Sequence, residues 1–288
     1  MIDLIINPTA GNGYGKTVGD LVSEYLAQRG VEYRSHYTEY PGHATVLAKQ
    51  VAEVGSDTVA AIGGDGTLTE VASGLQHTGT ALGVIPAGTG NDYIKVTGTP
   101  KGWKEAVDFI LTHPARPINT GTVNDRLFIN VCGAGFDVMT LEYALIAKRH
   151  VQGIWPYLYG VIRAIKTFKP FDMHIQVDDH TVLDGQYMIC TIANGRYIGG
   201  GIPIAPLADV TDGVFDLMLV DKMPRWKIPF YLPSLLMGTL YKHKVSHRYL
   251  TAKCSLCSPN MRLNLDGEIL PMEETHFTCE TDALMLHW

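Results

Sequence analysis

The stretch Ala60-Ala61-Ile62-Gly63-Gly64-Asp65-Gly66-Thr67-Leu68-Thr69-Glu70 decides the fold of this chain. The apolar residues 58–62 have the length of a buried strand, and a helical pattern follows the glycines. Such a turn lets a ligand approach the main chain, and the N–H groups that open the helix attract anions. Asp65 would repel a phosphate unless a cation lay between them, so the turn indicates a metal–nucleotide site. A simpler interpretation makes Thr67 an N-cap and Glu70 the end of a capping box.

Strand and helix patterns alternate on both sides of this stretch. The predicted strands are 2–7, 31–38, 58–63 and 81–86, and the predicted helices are 16–29, 43–54, 68–77 and 101–113. This alternation predicts a parallel sheet covered by helices on both faces. Ligands bind outside the carboxyl ends of such strands, where the three turns richest in glycine lie: 7–13, 63–67 and 86–92.

The pattern changes after Pro117, where short β-rich runs replace the alternation. Helical patterns interrupt these runs at about 141–169 and 226–242. We therefore expect an α/β fold with an N-terminal parallel-sheet nucleotide-binding domain over residues 1–118. A C-terminal β-sandwich-like domain with helical insertions is expected over residues 119–288.

Composition favours a globular protein in a reducing compartment. Apolar residues make up 46% of the 288 residues and charged residues 18%. No charged-then-apolar leader precedes the first strand, and no apolar run is long enough to span a bilayer. The five cysteines are an odd and sparse set, which argues against a disulfide framework. Cys254 and Cys257 are not accompanied by a second cysteine pair at the spacing of a zinc site. We expect a cytoplasmic protein.

Basic residues are concentrated in two windows, 143–171 and 222–253, neither of which contains an acid. The basic residues are Lys148, Arg149, Arg163, Lys166, Lys169, Lys222, Arg225, Lys227, Lys242, Lys244, Arg248 and Lys253. Tryptophan and tyrosine side chains accompany them, a mixture that suits an anionic membrane surface. A merely solvated basic face is the alternative. A nucleic-acid partner is not expected, because no recognisable motif is present and the rest of the chain is acidic.

Two of the glycine-rich turns have local interpretations of their own. The first nearly forms a phosphate-binding P-loop, but Ala10 stands where that motif requires glycine. In the third, Thr89 can donate to a phosphate and Asp92 can hold a magnesium-bound water. A plain glycine turn, with Asn91 or Asp92 capping a helix, remains the alternative.

Together these segments resemble the diacylglycerol kinase catalytic family, specifically its small bacterial lipid kinases. The residues that carry the resemblance are Asn7-Pro-Thr-Ala-Gly11, Gly63-Gly-Asp-Gly-Thr67 and Pro86-Ala-Gly-Thr-Gly-Asn-Asp92. Further along, Gly199-Gly-Gly201 with Ala205-Pro206, Asp209-x-x-Asp212-Gly213 and Asp266-Gly-Glu268 match the motifs of the second domain. The Gly-Gly-Asp-Gly-Thr core alone is shared with NAD kinases, whereas the complete set is more specific.

The resemblance implies an ATP site on the first domain and magnesium at two places. ATP would contact Asn7, Pro8, Thr9, Ala10, Gly11, Thr38, Gly64, Asp65, Gly66, Thr67, Thr89 and Gly90. Asp65 and Asp92 would belong to a magnesium–water network at the phosphates. Asp209, Asp212 and the backbone oxygen of Val214 would hold a structural magnesium ion, although an acidic turn is the bland alternative.

The same resemblance implies a proton acceptor in Asp266-Gly267-Glu268. We expect Asp266 to be the base and Glu268 to assist, with an exposed hairpin turn as the alternative reading. At the position where many members have an aspartate of the magnesium network, this chain has Asn119. Asparagine can bind a metal-bound water but brings no charge.

The expected function is therefore ATP- and Mg-dependent phosphorylation of a lipid hydroxyl, with diacylglycerol as acceptor and phosphatidic acid as product. We expect peripheral contact with anionic membranes, and a homodimer is left open. An NAD kinase and a nucleotide- or lipid-binding regulator with decayed activity remain alternatives.

Overall fold

The computed structural model describes residues 1–147, 155–178 and 180–288. They form two compact units, one of residues 1–120 with 280–288 and one of residues 121–279. Lys148 and Arg149 of the first basic window lie outside the described residues. Each unit has its own apolar core.

The first unit alternates strands and helices as predicted. Its elements are β1 (Ile2–Ile6), α1 (Tyr14–Gln28), β2 (Tyr33–Tyr37), α2 (His43–Glu53), β3 (Thr58–Gly63), α3 (Asp65–Leu75), β4 (Ala81–Pro86), α4 (Ile94–Thr97) and α5 (Trp103–Thr112). Strand β5 (Ala115–Val123) then leads into the second unit. The strand order β4-β3-β1-β2 is parallel throughout, which confirms the predicted parallel sheet.

Side-chain alternation along β1 explains why helices cover both faces of this sheet. Leu4 and Ile6 are buried in one apolar cluster with α1 and α5, to which Val22 and Ile110 contribute. Ile5, which also has no exposed surface, points to the opposite face by the period of two. Helices α2 and α3 pack on each other and on the strands there. The sheet is therefore buried on both sides, and its strands read as continuous apolar runs.

The second unit is rich in antiparallel strands. Its elements are β6 (Arg126–Phe128), β7 (Val131–Gly135), α6 (Phe136–Ala147), α7 (Trp155–Thr167), β8 (Phe171–Val177), β9 (Thr181–Ala193), β10 (Tyr197–Ile198), β11 (Ile202–Pro203), β12 (Phe215–Asp221), α8 (Ile228–Leu236), β13 (Ser246–Thr251), β14 (Lys253–Cys257), β15 (Arg262–Leu265), β16 (Glu268–Pro271) and β17 (Glu274–His287). Single 3₁₀ turns lie at Arg225–Lys227 and Leu240–Lys242.

Two apolar cores lie on either side of the strands of this unit. The long strand β9 pairs with β8 along its first half, with β7 along its second half and with β12 on the other side. Phe128, Phe215 and Phe277 belong to one of these cores. Phe136 and Phe168 belong to the core under the helices α6 and α7. The β-sandwich-like second domain with helical insertions is thus confirmed.

The last strand differs from the domain boundaries expected from sequence. Met285 and Leu286 of β17 pair in parallel with Ala81 and Leu82 of β4, so residues 280–288 group with the first unit. The sequence interpretation placed everything after residue 118 in the second domain. A strand pattern reports which residues alternate but not which sheet receives the strand, so the return to the first unit was missed.

Within the described ranges, no helix is both long and apolar enough to cross a membrane.

Candidate active site

The first glycine-rich turn lies between β1 and α1 and closes largely on itself. Asn7 Oδ1 accepts from the backbone N–H and the hydroxyl of Thr9, at 3.1 and 2.9 Å. Gly11 has a positive φ of 57°, and a Cβ there would overlap the carbonyl oxygen of Ala87. Pro8 and Ala10 are half-buried in the turn, and Thr38 follows β2 with its N–H 2.9 Å from the Ile6 carbonyl oxygen.

Several main-chain N–H groups of this turn are already bonded within it. The N–H groups of Ala10, Gly13, Tyr14 and Gly15 donate to carbonyl oxygens of the turn itself. These four N–H groups are therefore not available to bind a phosphate in this conformation.

The second turn opens α3 with an uncapped first turn. Gly64 is the N-cap residue and makes no side-chain capping bond, and the helix begins at Asp65. The N–H groups of Asp65, Gly66 and Thr67 belong to the first turn, where a helix has no internal acceptors for them. They carry the positive end of the helix dipole, so an anion would be stabilised here.

The capping-box interpretation of this turn is wrong. Thr67 lies inside α3 and its hydroxyl accepts from Asn7 Nδ2 at 2.9 Å. The Glu70 carboxylate instead accepts the N–H of Ala44, at the start of α2, at 3.2 Å. Thr67 and Glu70 therefore bond to neighbouring elements, and neither side chain caps the N-terminus of α3.

The third turn, after β4, is held against the second by close main-chain contact. The N–H groups of Ala87 and Gly88 donate to the Gly63 carbonyl oxygen at 2.8 and 3.0 Å. A Cβ on Gly88 would overlap Gly64 Cα, so the two glycines let the main chains touch. Thr89 and Gly90 are exposed at the tip of the turn. No side chain caps the short helix α4, which removes the capping alternative for Asn91 and Asp92.

Asp65 joins the second and third turns electrostatically. The N–H of Tyr93 donates to Asp65 Oδ1 at 3.3 Å, and the N–H groups of Asn91 and Asp92 also donate to this carboxylate. Burial raises the pKa of Asp65, the neighbouring Asp92 carboxylate raises it further, and the three N–H groups oppose the shift. Asp92 is buried and pairs with Lys95 Nζ at 3.0 Å.

The chemistry of this pair of acids fits a divalent cation. A cation beside Asp65 and Asp92 would relieve the repulsion between the two carboxylates. In the parts of the chain that the structure describes, no three His, Cys, Asp or Glu side chains are grouped to hold a metal ion. Magnesium commonly uses one or two carboxylates and completes its shell with waters and phosphate oxygens, so this donor set is compatible with magnesium only alongside a nucleotide.

The acidic turn before β12 has a local structure that uses half of its carboxylate oxygens. Asp209 Oδ1 accepts from the N–H and hydroxyl of Thr211 at 3.0 and 2.7 Å, and Asp212 Oδ1 accepts from the Val214 N–H at 3.1 Å. Burial raises the pKa of Asp212, as do the charges of Asp209 and Asp216, while the Val214 N–H lowers it. Each carboxylate keeps a second oxygen, and two such oxygens with a carbonyl form a hard donor set.

In the second unit, the Asp266 carboxylate is bound by three consecutive main-chain N–H groups. Asp266 Oδ2 accepts from Ile129 at 2.9 Å, and Oδ1 accepts from Asn130 and Val131 at 3.1 and 2.9 Å. These donors are complementary to an ionised carboxylate and fix its orientation. Glu268 is exposed on the next strand, with its carboxylate 3.8 Å from Arg126. Asp266 and Gly267 do form a hairpin turn between β15 and β16, but main-chain N–H groups bind the Asp266 carboxylate, so it is more than an exposed turn residue.

Sequence reasoning missed several residues that build this second site. The donor segment 129–131 contributes only main-chain groups, so its side chains carry no signal. Asn264 accepts the N–H of Gly267 at 2.9 Å, and a partly buried acid, Asp137, lies beside it. The run Gly133-Ala134-Gly135-Phe136-Asp137, with an acid directly after glycines, was the available signal.

Comparison with known proteins identifies this chain as a phosphotransferase of the kinase class. The model of the diacylglycerol kinase catalytic domain matches residues 2–123, and that of the YegS C-terminal NAD kinase beta sandwich-like domain matches residues 130–287. A diacylglycerol kinase of Bacillus subtilis is 32% identical over 273 residues, covering 92% of this chain and 88% of that protein. One from Staphylococcus saprophyticus is 30% identical over 270 residues, covering 92% and 88%.

Solved structures agree on the fold. The crystal structure of a diacylglycerol kinase from Bacillus anthracis has a TM-score of 0.77 at 21% identity and covers 100% of this chain and 96% of that chain. An NAD kinase from Archaeoglobus fulgidus in complex with ATP has a TM-score of 0.53 at 13% identity, covering 100% and 94%. The chain belongs to the diacylglycerol kinase family of lipid kinases.

Proposed function

We propose that this enzyme transfers the γ-phosphate of ATP to the hydroxyl of diacylglycerol, or of a related lipid, and releases phosphatidic acid and ADP. The observation that carries the proposal is the position of the Asp65 carboxylate. It accepts N–H groups of the third glycine-rich turn and lies at the N-terminus of α3, which no side chain caps. A nucleotide site needs both: anion-binding donors and an acid to hold a bridging cation.

In this proposal the three turns of the first unit bind ATP. The N–H groups of Asp65, Gly66 and Thr67 hold a phosphate, while the exposed Thr89 donates its hydroxyl to another. Gly64 and Gly90 permit close approach of the ligand. Asn7 to Gly11 and Thr38 line the remaining wall of the site, consistent with their place at the ends of β1 and β2.

Magnesium is proposed at two places. Asp65 and Asp92 would hold the ion that neutralises the transferring phosphate, through their carboxylates and through water. The free oxygens of Asp209 and Asp212, with the carbonyl of Val214, would hold a structural ion in the second unit. Burial raises the pKa of Asp65 and of Asp212, and a neighbouring carboxylate raises each further, so a cation at either place would be favourable.

Asp266 is proposed as the proton acceptor, with Glu268 assisting. The lipid oxygen forms a bond to the γ-phosphorus, the bond from that phosphorus to the β,γ-bridging oxygen breaks, and the hydroxyl proton passes to the carboxylate. Three main-chain N–H groups hold the Asp266 carboxylate in one orientation, which supports its assignment as the group that accepts the proton.

Peripheral contact with an anionic membrane is proposed through the helices of the second unit. Trp155, Leu158, Tyr159 and Ile162 form an exposed stripe on α7, and Trp226 and Phe230 are exposed beside α8. Arg163 and Lys166 lie on α7 with no acid in that helix. Exposed aromatic side chains with basic neighbours suit headgroup depth and lipid phosphate. Such contact would give the enzyme access to a lipid acceptor dissolved in the membrane.

An NAD kinase is the second candidate, because the fold similarity to the Archaeoglobus fulgidus enzyme extends over the whole chain. The relatives from Bacillus subtilis and Staphylococcus saprophyticus argue against an NAD kinase, because both are named diacylglycerol kinase. A transfer assay with labelled ATP and Mg²⁺ distinguishes the two candidates when diacylglycerol micelles or NAD are offered as the acceptor. We expect label in the lipid, whereas label only in the dinucleotide would overturn the proposal.

A regulator that binds nucleotide or lipid without turnover is the remaining alternative, since Asn119, buried in β5, replaces a charged residue. Sedimentation with anionic vesicles in the same assay separates this case. Membrane binding without transfer to any acceptor would favour the regulator.

A further inference from the structure

The turn that carries Asp266 is a tight hairpin turn of two residues. Asp266 and Gly267 connect β15 to β16 with positive φ angles of 47° and 99°. Two successive positive φ angles define a tight two-residue hairpin turn, for which Asp-Gly is one of the favoured pairs. Asn264 Oδ1 accepts the N–H of Gly267 at 2.9 Å and so holds the turn from inside.

The side-chain amide of Asn264 has a second partner, Asp137. Asn264 is 8% exposed and pairs across the strands with Gly133 of β7. Because Gly133 has no side chain, the Asp137 carboxylate fills that space, and a Cβ on Gly133 would overlap Asp137 Oδ2. The Asn264 side chain lies beside this carboxylate and helps to lower its pKa. One amide thus joins the acid to the turn.

A carboxylate in this place determines which way the amide faces. Ionised aspartate can only accept hydrogen bonds, so it selects the Nδ2 side of Asn264 and leaves Oδ1 for Gly267. Asp137 is costly to bury: burial raises its pKa to about 6, although the N–H groups of Val138 and of Asp137 itself and the Asn264 side chain oppose the shift. Its Oδ1 has no hydrogen-bond partner among the residues that the structure describes.

We propose that Asp137 is a positioning residue, which acts through Asn264 to hold the Asp266–Gly267 turn and thereby aims the Asp266 carboxylate. The role rests on the proposed function, in which Asp266 accepts the proton. Asp137 does not itself touch the acceptor in this scheme. Gly133 is part of the same device, because it creates the space in which the acid meets the amide.

An exchange of the two side chains tests the proposal. Asn264→Asp would set two carboxylates against each other, and we expect kcat to fall about tenfold or more. Asp137→Asn should lower kcat less, since an amide oxygen still accepts. The double variant restores one amide and one carboxylate in reversed order, so kcat should recover to within a few-fold of the starting enzyme. KM for ATP should stay constant in all three.

Two further measurements keep structural damage and the proposed function apart. Asp216→Asn removes a buried acid of the same unit, paired with Arg248, and should lower stability without lowering kcat of the folded enzyme. Hydrogen exchange at the Gly267 N–H needs no activity: it should accelerate in Asn264→Asp and slow again in the double variant. A double variant no better than Asn264→Asp, or unchanged exchange at Gly267, would overturn the proposal. Absence of lipid transfer by the starting enzyme would instead overturn the proposed function.

Discussion

The side-chain amide of Asn7 donates to the hydroxyl of Thr67 at 2.9 Å and ties the turn after β1 to the first turn of α3. Thr67 is buried, so this bond sets the position of the helix end that we assign to phosphate binding. The expected change from Asn7→Ala is a several-fold rise in KM for ATP and a loss of about 1 kcal/mol in the free energy of unfolding. Steady-state kinetics and urea unfolding measure both. Gln50→Ala, an exposed amide of the same unit, should change neither.

Two neighbouring glycines should separate folding from ligand binding. A Cβ at Gly88 would overlap Gly64 Cα, so Gly88→Ala must displace main chain and should destabilise the first unit by about 2 kcal/mol. A Cβ at Gly66 meets nothing within 4 Å, and alanine is the better helix former. Gly66→Ala should therefore retain or raise stability while raising KM for ATP, if the phosphate occupies that space. Unchanged KM for Gly66→Ala would place the phosphate elsewhere.

Asp65 should show a conflict between stability and activity. Its pKa is raised in the folded protein, so the folded state binds the proton more tightly and stability falls as pH rises between 3.8 and the folded value. Asp65→Asn removes this slope, and we expect it to unfold no more easily than the starting protein at pH 7. Phosphoryl transfer should nevertheless fall by about a hundredfold or more. Chemical unfolding from pH 4 to pH 7 tests the first statement, and a transfer assay tests the second.

Asp3 should have the opposite pH dependence. Burial raises the pKa of Asp3, but hydrogen bonds from Arg34, Ser56 and His36 outweigh burial and lower it below 3.8. A lowered folded pKa means that the stabilisation is present above the unfolded value and is lost as pH falls through the folded one. Asp3→Asn should cost about 2 kcal/mol at pH 7 and less at pH 3. Asp57→Asn, at an acid that is 81% exposed, is the control.

The sequence predicted the first unit well for a physical reason. Buried parallel strands are apolar runs, and their glycine turns lie where ligands bind, so 58–63 and 81–86 were located to the residue. The role of Glu70 was misread, because a capping box and a tertiary contact to Ala44 use the same side chain. Pairing of Met285 with Ala81 could not be read either, since a strand pattern does not name its neighbour.

The second site was predictable only in part. Asp266 stood out as an acid in a glycine turn, but its three donors are main-chain groups of 129–131 and leave no mark in the side-chain pattern. The meeting of Asp137 with Asn264 depends on the register that sets Asn264 opposite Gly133. Register between strands far apart in the chain is fixed by the assembled sheet.

The central claim is that Asp266 accepts the proton of a lipid hydroxyl during transfer from ATP. The most direct measurement incubates the protein and its Asp266→Asn variant with ATP labelled at the γ-phosphate, Mg²⁺ and diacylglycerol micelles, and also measures ATP binding. Labelled phosphatidic acid should form with the starting protein and fall by about a hundredfold or more with the variant, while ATP affinity stays within a few-fold. Transfer retained by the variant, or no labelled lipid from the starting protein, would contradict the account.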